Sequence, residues 1–149
     1  MKRNILTAAV RGTACILSLL LCGSYPAAAG NPADGSGTPA QTEITVNDGE
    51  MGTGLFQFEF STGWVHEGGY PARFVGGDEH WSTTATSGAA LPSLTFRFSG
   101  TKVSLYGHKV PAGGMARVTI DGADAGVVDF YNAVRIEKTL LFESGILDN

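Results

Sequence analysis

The stretch that decides the fold runs from Leu94 to Tyr131 and reads LTFRFSGTKVSLYGHKVPAGGMARVTIDGADAGVVDFY. Apolar side chains recur there at every second position, which places one face of each segment on a core and the other in water. The spacing predicts strands at Leu94–Phe98, Val103–Tyr106, Arg117–Ile120 and Val127–Tyr131. The joints at Ser99–Thr101 and Asp121–Gly122 favour hairpin turns, because Gly reaches positive φ without steric cost. The stretch therefore predicts an antiparallel β-meander.

Further strand candidates flank this meander. They lie at Glu43–Val46, Leu55–Phe60, a short piece near Ala72–Val75, and Lys138–Phe142. In the second of these, Phe56, Phe58 and Phe60 share one face, as expected of a core strand. The total of about eight strands is the number of a jelly roll. The fold class predicted is all-β, an antiparallel β-sandwich of the jelly-roll type.

The order and spacing of several short segments carry a family resemblance. The segments are Val46–Asp48, Phe56–Phe58, Trp64, Asp78–Ser82, Phe98–Pro111, Gly114–Gly122 and Val128–Tyr131. Together they resemble the galactose-binding-like jelly-roll modules appended to bacterial secreted glycoside hydrolases, over a match from about Val46 to Leu147. The resemblance implies a non-catalytic module that binds a polysaccharide or another glycan.

The N-terminal residues have the pattern of a secretory signal peptide. Lys2, Arg3 and Arg11 make a basic start, an apolar run follows from Ala14 to Cys22, and Ala27–Ala29 offers a cleavage site. A lipoprotein attached at Cys22 is the weaker alternative, because Leu21 stands where a small residue is expected. We therefore expect residues 1–29 to be removed and the protein to be secreted or periplasmic.

After removal of residues 1–29, the composition of the remaining chain limits the partners that it can bind. Loss of the three basic residues of the leader leaves seven Lys and Arg against 14 Asp and Glu, a formal charge of −7. An acidic chain is a poor partner for nucleic acid or an anionic membrane. The apolar run of the leader, Ala14–Cys22, is also too short for a membrane-spanning helix. Residues 30–42 are rich in Gly, Pro, Ala and Ser and predict a flexible linker, so residues 43–149 form one predicted domain.

The C-terminal end differs from the pattern of the family. The resemblance implies one further alternating strand after Leu147–Asn149, where the sequence stops. A β-sandwich without its last strand leaves a neighbouring strand with unpaired backbone groups. We therefore expect a C-terminally truncated product, a fragment, or a domain completed by another chain. The partners expected are a catalytic domain or a strand-donating chain.

Three groups of residues are candidates for ligand binding. Asp78, His80 and Trp81 fall in a segment predicted as a loop, where an aromatic face beside hydrogen-bonding groups would suit a sugar ring. Packing at the edge of the sandwich is the favoured alternative for Trp81, whereas His80 is the better candidate for sugar contact. The second group is Tyr106 with Lys109, and the third is Tyr131 with Arg135.

The last two groups also have plain structural interpretations. Lys109 can be a solvated residue at a strand end. Arg135 can clasp ring hydroxyls or form an ion pair with Asp129. These alternatives stay open at the level of the sequence.

Metal and enzyme sites are weakly indicated. His66, His80 and His108 are too scattered for a transition-metal site. Asn47, Asp48 and Glu50 are candidates for a structural calcium site, although a solvated acidic turn is the better interpretation. No cofactor is therefore expected.

No nucleophile elbow occurs in the sequence. Paired carboxylates for glycoside hydrolysis depend on spatial separation and are not excluded. We expect a module that is not an enzyme. The rival hypotheses are a cell-surface adhesion or protein-interaction domain, and a fragment of a larger glycoside hydrolase or carbohydrate esterase.

Overall fold

A computed structural model describes residues 3–11, 15–17, 20–26, 41–82 and 90–148. The strands are β1 (Asn4–Arg11), β2 (Cys15–Leu17), β3 (Leu20–Pro26), β4 (Gln41–Asn47), β5 (Phe58–Phe60), β6 (Trp64–Gly68), β7 (Asp78–Ser82), β8 (Ser93–Phe98), β9 (Val103–Lys109), β10 (Met115–Ile120), β11 (Ala123–Asp129) and β12 (Ile136–Glu143). These residues form strands, turns and loops, and none of them belongs to a helix that could cross a membrane. The predicted all-β class is confirmed.

The strands form three antiparallel sheets. A five-stranded sheet has the order β11-β10-β1-β8-β5, a four-stranded sheet has the order β12-β9-β3-β4, and a small sheet has the order β2-β7-β6. The architecture is that of an antiparallel β-sandwich. The jelly-roll connectivity stays a prediction.

Apolar residues at alternate positions build the core. In β8, Leu94, Phe96 and Phe98 are buried while the residues between them are only partly covered. The ring of Phe96 lies 4.6 Å from that of Phe58 on the neighbouring strand β5. Full burial of one such side chain contributes about 1.5–3 kcal/mol, so this layer of aromatic rings is a principal source of stability. Val118 of β10 completes the same core.

The strand β1 occupies the middle of the five-stranded sheet. Its partner on one side is β10 and its partner on the other is β8. Leu6, Ala8 and Val10 point into the core and are almost fully buried. The basic start and the apolar run Ala14–Cys22 predict that these residues belong to a leader, whereas their own alternating apolar pattern also suits a central strand. Removal of residues 1–29 stays a prediction, and most of the predicted linker lies outside the described residues.

Most strand predictions from the sequence are confirmed, with small shifts at their ends. The predicted strand Val127–Tyr131 begins earlier, as β11. The turn before it is confirmed, since Asp121 and Gly122 both have positive φ, at 51° and 81°, as a two-residue hairpin turn of type I′ requires. In Leu55–Phe60 only the last three residues form a strand, because Phe56 has a φ of 59°.

Two sequence predictions were wrong. The piece near Ala72–Val75 is a turn rather than a strand. The segment Asp78–Ser82, predicted as a loop, is β7, and it pairs with β6 and β2. Its polar side chains concealed a strand because their partners lie on elements distant in sequence.

The last strand, β12, is irregular. Lys138 has a φ of 50°, and the pairing of β12 with β9 shifts register between Ile136 and Thr139. After β12 the chain continues beside the residues that precede β9, where Leu147 donates its backbone N–H to the carbonyl of Thr101 at 2.7 Å. Leu147 packs against the core.

Candidate functional site

The strand β7 carries ionisable side chains on both faces. Successive side chains of a strand point to opposite sides, so Asp78 and His80 project to one side and Glu79 and Trp81 to the other. Glu79 and His80 are 6% and 3% exposed. Burying a polar group costs free energy unless it is hydrogen-bonded, so both side chains need partners from other elements.

On the first face, His80 lies within a stack of aromatic rings. Its ring centroid is 4.0 Å from that of Phe60 and 4.5 Å from that of His66, in nearly parallel planes. Oδ2 of Asp48 lies 2.8 Å from Nδ1 of His80 and accepts the backbone N–H of the same residue at 2.9 Å. Burial raises the pKa of Asp48, and the hydrogen bond with His80 opposes that rise. This pair joins β7 to the turn after β4.

Asp78 extends the same network. Its Oδ1 accepts a hydrogen bond from Nδ2 of Asn47 at 2.8 Å, and its Oδ2 lies 3.0 Å from Nε2 of His66. Burial would raise the pKa of Asp78, but the hydrogen bonds with Asn47 and His66 outweigh it, and this pKa lies below its usual value. Asp78 is therefore held by two neighbours.

On the second face, Glu79 meets His108 of β9. Oε2 of Glu79 lies 3.5 Å from Nε2 of His108, and the two side chains are 8% and 1% exposed. Burial raises the pKa of Glu79 to about 7; Arg135 and Arg73 oppose the rise, and Glu67 adds to it. Burial also lowers the pKa of His108 to about 3. Near neutral pH the imidazole is therefore uncharged and the carboxyl is near its midpoint.

The Glu79–His108 pair has unused hydrogen-bonding capacity. Among the described residues, Oε2 of Glu79 and both ring nitrogens of His108 find no hydrogen-bond partner. The same holds for Nη2 of Arg135. Such buried groups usually bind water or a ligand atom. The buried region around Glu79 and His108 is therefore polar, and several of its hydrogen-bonding atoms lack a partner among the described residues.

Above the pair lies a surface of two arginines, a tyrosine and a glutamate, here termed the arginine–tyrosine patch (Tyr70, Arg73, Arg135 and Glu137). Oε1 of Glu137 accepts hydrogen bonds from Nε of Arg73 at 2.9 Å and from Nε of Arg135 at 3.0 Å. The hydrogen bond from Arg73, followed by that from Arg135, lowers the pKa of Glu137 despite opposing desolvation. One carboxylate oxygen thus fixes two guanidinium groups.

Aromatic rings support these guanidinium groups. The guanidinium carbon of Arg73 lies 5.7 Å from the ring centre of Tyr70 and 5.9 Å from that of Phe74. The corresponding atom of Arg135 lies 5.7 Å from the ring centre of Phe74. Phe74 in turn packs 5.5 Å from the ring of His108. Phe74 therefore separates the exposed patch from the buried pair.

The patch is accessible and chemically mixed. Tyr70 is 38% exposed and the side chain of Arg73 is 45% exposed. A half-exposed aromatic ring offers an apolar face, the guanidinium groups donate hydrogen bonds, and the carboxylate accepts them. This combination is suited to a ligand with many hydroxyl groups.

The structure distributes the candidates from the sequence over several places. Arg135 lies in the patch and pairs with Glu137. Lys109 is the strand partner of Ile136, the residue after Arg135. Tyr131 is 54% exposed, and its backbone N–H is bound by Oδ1 of Asp129. Tyr106 is half-buried in β9.

The remaining candidates all lie on β7. Trp81 is half-buried, and its strand partners are Val65 and Ile16. His80 is enclosed by Asp48, Phe60 and His66, so it could touch a sugar only if that packing opened. The structure does not gather Asp78, His80, Trp81 and Lys109 around one surface, and their roles in binding stay predictions.

Sequence reasoning missed Tyr70, Arg73, Glu79 and Glu137. For Glu79 the local sequence carried no signal, because the segment Asp78–Ser82 was predicted as a loop and its partner His108 lies on β9. Arg73 and Glu137 are 64 positions apart, and nothing local indicated that they meet.

Metal binding gains no support from the geometry. No group of three or more His, Cys, Asp or Glu side chains suited to a metal ion occurs within the described ranges. Of the residues considered for calcium, Asn47 and Asp48 bind Asp78 and His80 through one side-chain atom each. Their Oδ1 atoms have no hydrogen-bond partner among the residues described. Calcium binding stays a prediction.

A separate cleft lies at one end of the β-sandwich. Its volume is about 470 Å³, and Ile120, Asp124, Phe142 and Ile146 are among the residues that line it. It is open to solvent and lacks the paired arginine groups of the patch.

The chain matches no protein-family model, no curated protein and no solved structure.

Proposed function

We propose that the protein is a non-catalytic carbohydrate-binding module and that its ligand binds at the arginine–tyrosine patch. The observation that carries this proposal is the shared acceptor, Glu137, which holds Arg73 beside the partly exposed Tyr70 and Arg135 over Phe74. Donors that are already held lose little conformational entropy when a ligand arrives.

The charge of the patch favours a hydroxyl-rich ligand of low charge. Glu137 neutralises one of its two arginines, and the protein as a whole is acidic, with a formal charge of −4. Guanidinium and carboxylate groups bind vicinal hydroxyls by donating and accepting hydrogen bonds. The ligand class proposed is a neutral polysaccharide, bound with a dissociation constant on the order of micromolar to millimolar.

Catalysis is not part of the proposal. Glu79 and His108 could exchange a proton, but they lie buried beneath Phe74 rather than at the exposed patch. A general acid or base must reach the reacting atom directly or through one water molecule. The exposed side chains of the patch are engaged with one another and serve for binding.

Affinity electrophoresis of the full chain in gels that contain a β-glucan, a xylan or a galactan would test the proposal. We expect retardation by at least one polysaccharide. Tyr70→Ala and Arg73→Ala should remove it. Arg117→Ala is the matched control, since Arg117 is an exposed arginine that also pairs with a carboxylate, that of Asp124.

Unretarded migration of the folded wild-type protein in every gel would contradict carbohydrate binding. Retardation that survives both patch substitutions would place the binding surface elsewhere. Turnover of chromogenic glycosyl or acetyl substrates would favour the hydrolase or esterase alternative.

A further inference from the structure

The carboxyl group of Glu79 lies close to the arginine–tyrosine patch without belonging to it. Its side chain is 8% exposed, and its Oε2 lies 3.5 Å from Nε2 of His108. The ring of Phe74 lies 5.5 Å from the ring of His108 and 5.7 Å from the guanidinium carbon of Arg135. Phe74 is therefore in contact with both the buried pair and the patch.

Glu79 and Arg135 both have unused hydrogen-bonding atoms. Oε2 of Glu79 and Nη2 of Arg135 are buried and have no hydrogen-bond partner among the described residues. Of the charged neighbours, Arg135 has the largest effect on the pKa of Glu79, which it lowers. An acceptor and a cationic donor therefore lie within electrostatic reach of each other, although no hydrogen bond joins these two atoms.

The charged and titratable groups around Glu79 come from several elements. They are Asp48 after β4, Glu67 on β6, Arg73 before β7, His108 on β9 and Arg135 before β12. Ionised Asp48 and Glu67 repel a negative charge on Glu79, and Glu67 is its strand partner. Burial lowers the pKa of His108 to about 3, so this ring is uncharged near neutral pH. The two arginines are therefore the groups of this set that can compensate an ionised Glu79.

Arg135 is better placed than Arg73 for that compensation. The side chain of Arg135 is 29% exposed against 45% for Arg73, and of the two it is Arg135 that has a buried nitrogen without a partner in the described part of the chain. A buried carboxylate without a partner is costly, and a charge-assisted hydrogen bond from a guanidinium group relieves that cost. Rotation of the Arg135 guanidinium group toward Glu79 would stretch its 3.0 Å hydrogen bond with Glu137.

We propose that Glu79 is a positioning residue that makes ligand binding at the patch depend on pH. While Glu79 is protonated, Arg135 remains with Glu137 and presents its donors to the ligand. When Glu79 is ionised, Arg135 turns inward and the patch binds more weakly. This role of Glu79 rests on the proposed function, carbohydrate binding at the patch.

Ligand binding and protonation of Glu79 should therefore favour each other. The pKa of Glu79 is about 7, so the dissociation constant should rise as the pH increases through this value. If the ionised form binds about tenfold more weakly, bound ligand should raise this pKa by about one unit, because linkage is reciprocal.

Affinity electrophoresis at about pH 5.5 and about pH 8.5 tests this coupling. The full chain runs in gels that contain a β-glucan, a xylan or a galactan, and its mobility is compared with that in a glycan-free gel of the same pH. For the wild type we expect a dissociation constant about tenfold higher at the upper pH. Glu79→Gln cannot ionise and should keep the low-pH affinity at both. Glu59→Gln, at an exposed position, is the matched control and should behave as the wild type.

A measurement without ligand separates the role of Glu79 from carbohydrate binding itself. The NMR resonance of the Arg135 guanidinium carbon, assigned with Arg135→Lys, is followed over the same pH range. In the wild type we expect it to shift with an inflection at the pKa of Glu79, about 7. In Glu79→Gln it should stay constant.

The combined outcomes distinguish the two proposals. An Arg135 resonance that does not titrate, or a His108 ring that titrates in its place, would overturn the role of Glu79. Equal pH dependence of polysaccharide binding in the wild type and in Glu79→Gln would do the same. A titrating Arg135 resonance with no retardation at either pH would support the coupling of Glu79 to Arg135 and would overturn carbohydrate binding.

Discussion

One carboxylate oxygen of Asp48 contacts both the backbone nitrogen and the ring nitrogen Nδ1 of His80, at 2.9 and 2.8 Å. Both side chains are almost fully buried. The pair joins the turn after β4 to β7, and the stack of Phe60 and His66 on the imidazole ring fixes its plane. The contact therefore links two sheets through one polar interaction.

Asp48→Ala should strongly destabilise the fold. It would leave the backbone N–H and ring nitrogen of His80 buried without an acceptor, at a cost of about 3 kcal/mol. Urea unfolding followed by tryptophan fluorescence measures this change. Asp124→Ala removes an exposed carboxylate and should cost less than about 1 kcal/mol. Equal effects of the two substitutions would contradict the assignment.

Glu79→Gln should change how stability depends on pH. Burial raises the pKa of Glu79 from 4.5 to about 7, so the folded protein keeps a proton that the unfolded chain releases in this interval. The stabilisation is complete below pH 4.5 and is lost as the pH rises through about 7. Because Gln does not ionise, the variant should gain stability relative to the wild type over that interval, by at most about 3 kcal/mol.

His108 also contributes to the pH dependence, and a second glutamate serves as the control. His108, whose pKa is lowered to about 3, makes the unfolded chain bind the extra proton between that value and its ordinary pKa, so its contribution rises with pH in both proteins. Because Oε2 of Glu79 lies 3.5 Å from Nε2 of His108, the difference between variant and wild type measures Glu79 together with its coupling to His108. Glu50→Gln, at an exposed position, is the control for the substitution itself, and an equal gain of stability in that variant would refute the explanation.

Glu137→Gln should weaken carbohydrate binding without unfolding the protein. Its amide cannot hold both guanidinium groups by charge-assisted hydrogen bonds, so Arg73 and Arg135 lose their common anchor. We expect the dissociation constant to rise about tenfold, as measured by isothermal titration calorimetry. Glu67→Gln is the control at an exposed position of β6. Unchanged affinity of Glu137→Gln would mean that the patch is not the binding surface.

Gly113→Ala should destabilise the turn between β9 and β10. A Cβ atom at residue 113 would overlap the backbone carbonyl of Phe130, and a backbone obstacle cannot rotate away as a side chain can. We expect a loss of more than about 2 kcal/mol, by thermal unfolding. Gly145→Ala meets nothing within 4 Å and should lie within about 0.5 kcal/mol of the wild type.

The sequence predicted those parts of the fold in which local pattern and burial agree. The alternation in β8 and the turn at Asp121–Gly122 follow directly from side-chain period and from positive φ. The strand β7 was missed because Glu79 and His80 are polar yet buried, and their partners Asp48 and His108 are about 30 residues away in the chain. Local propensity cannot reveal such compensation.

The candidate site was predictable only in part. Arg135 was identified from the chemistry of its side chain. Its neighbours in the patch depend on how the turn before β7 meets β12, which is a property of the tertiary structure. Asn4–Arg11 was predicted only as part of a leader, from its position before the apolar run Ala14–Cys22. Its own apolar alternation also suits a core strand, and periodicity alone does not separate the two.

The left-handed backbone at Lys138 has a consequence for solubility. β12 ends the four-stranded sheet, and its outer side is a row of backbone groups that a neighbouring molecule could extend into a continuous sheet. The irregularity between Ile136 and Thr139 bends β12. It thereby disrupts the regular spacing of backbone groups that an added strand would need. β11, which ends the five-stranded sheet, is interrupted in the same manner opposite Val118 and Thr119. The two irregular edge strands, β11 and β12, therefore disfavour edge-to-edge association of their sheets with neighbouring molecules.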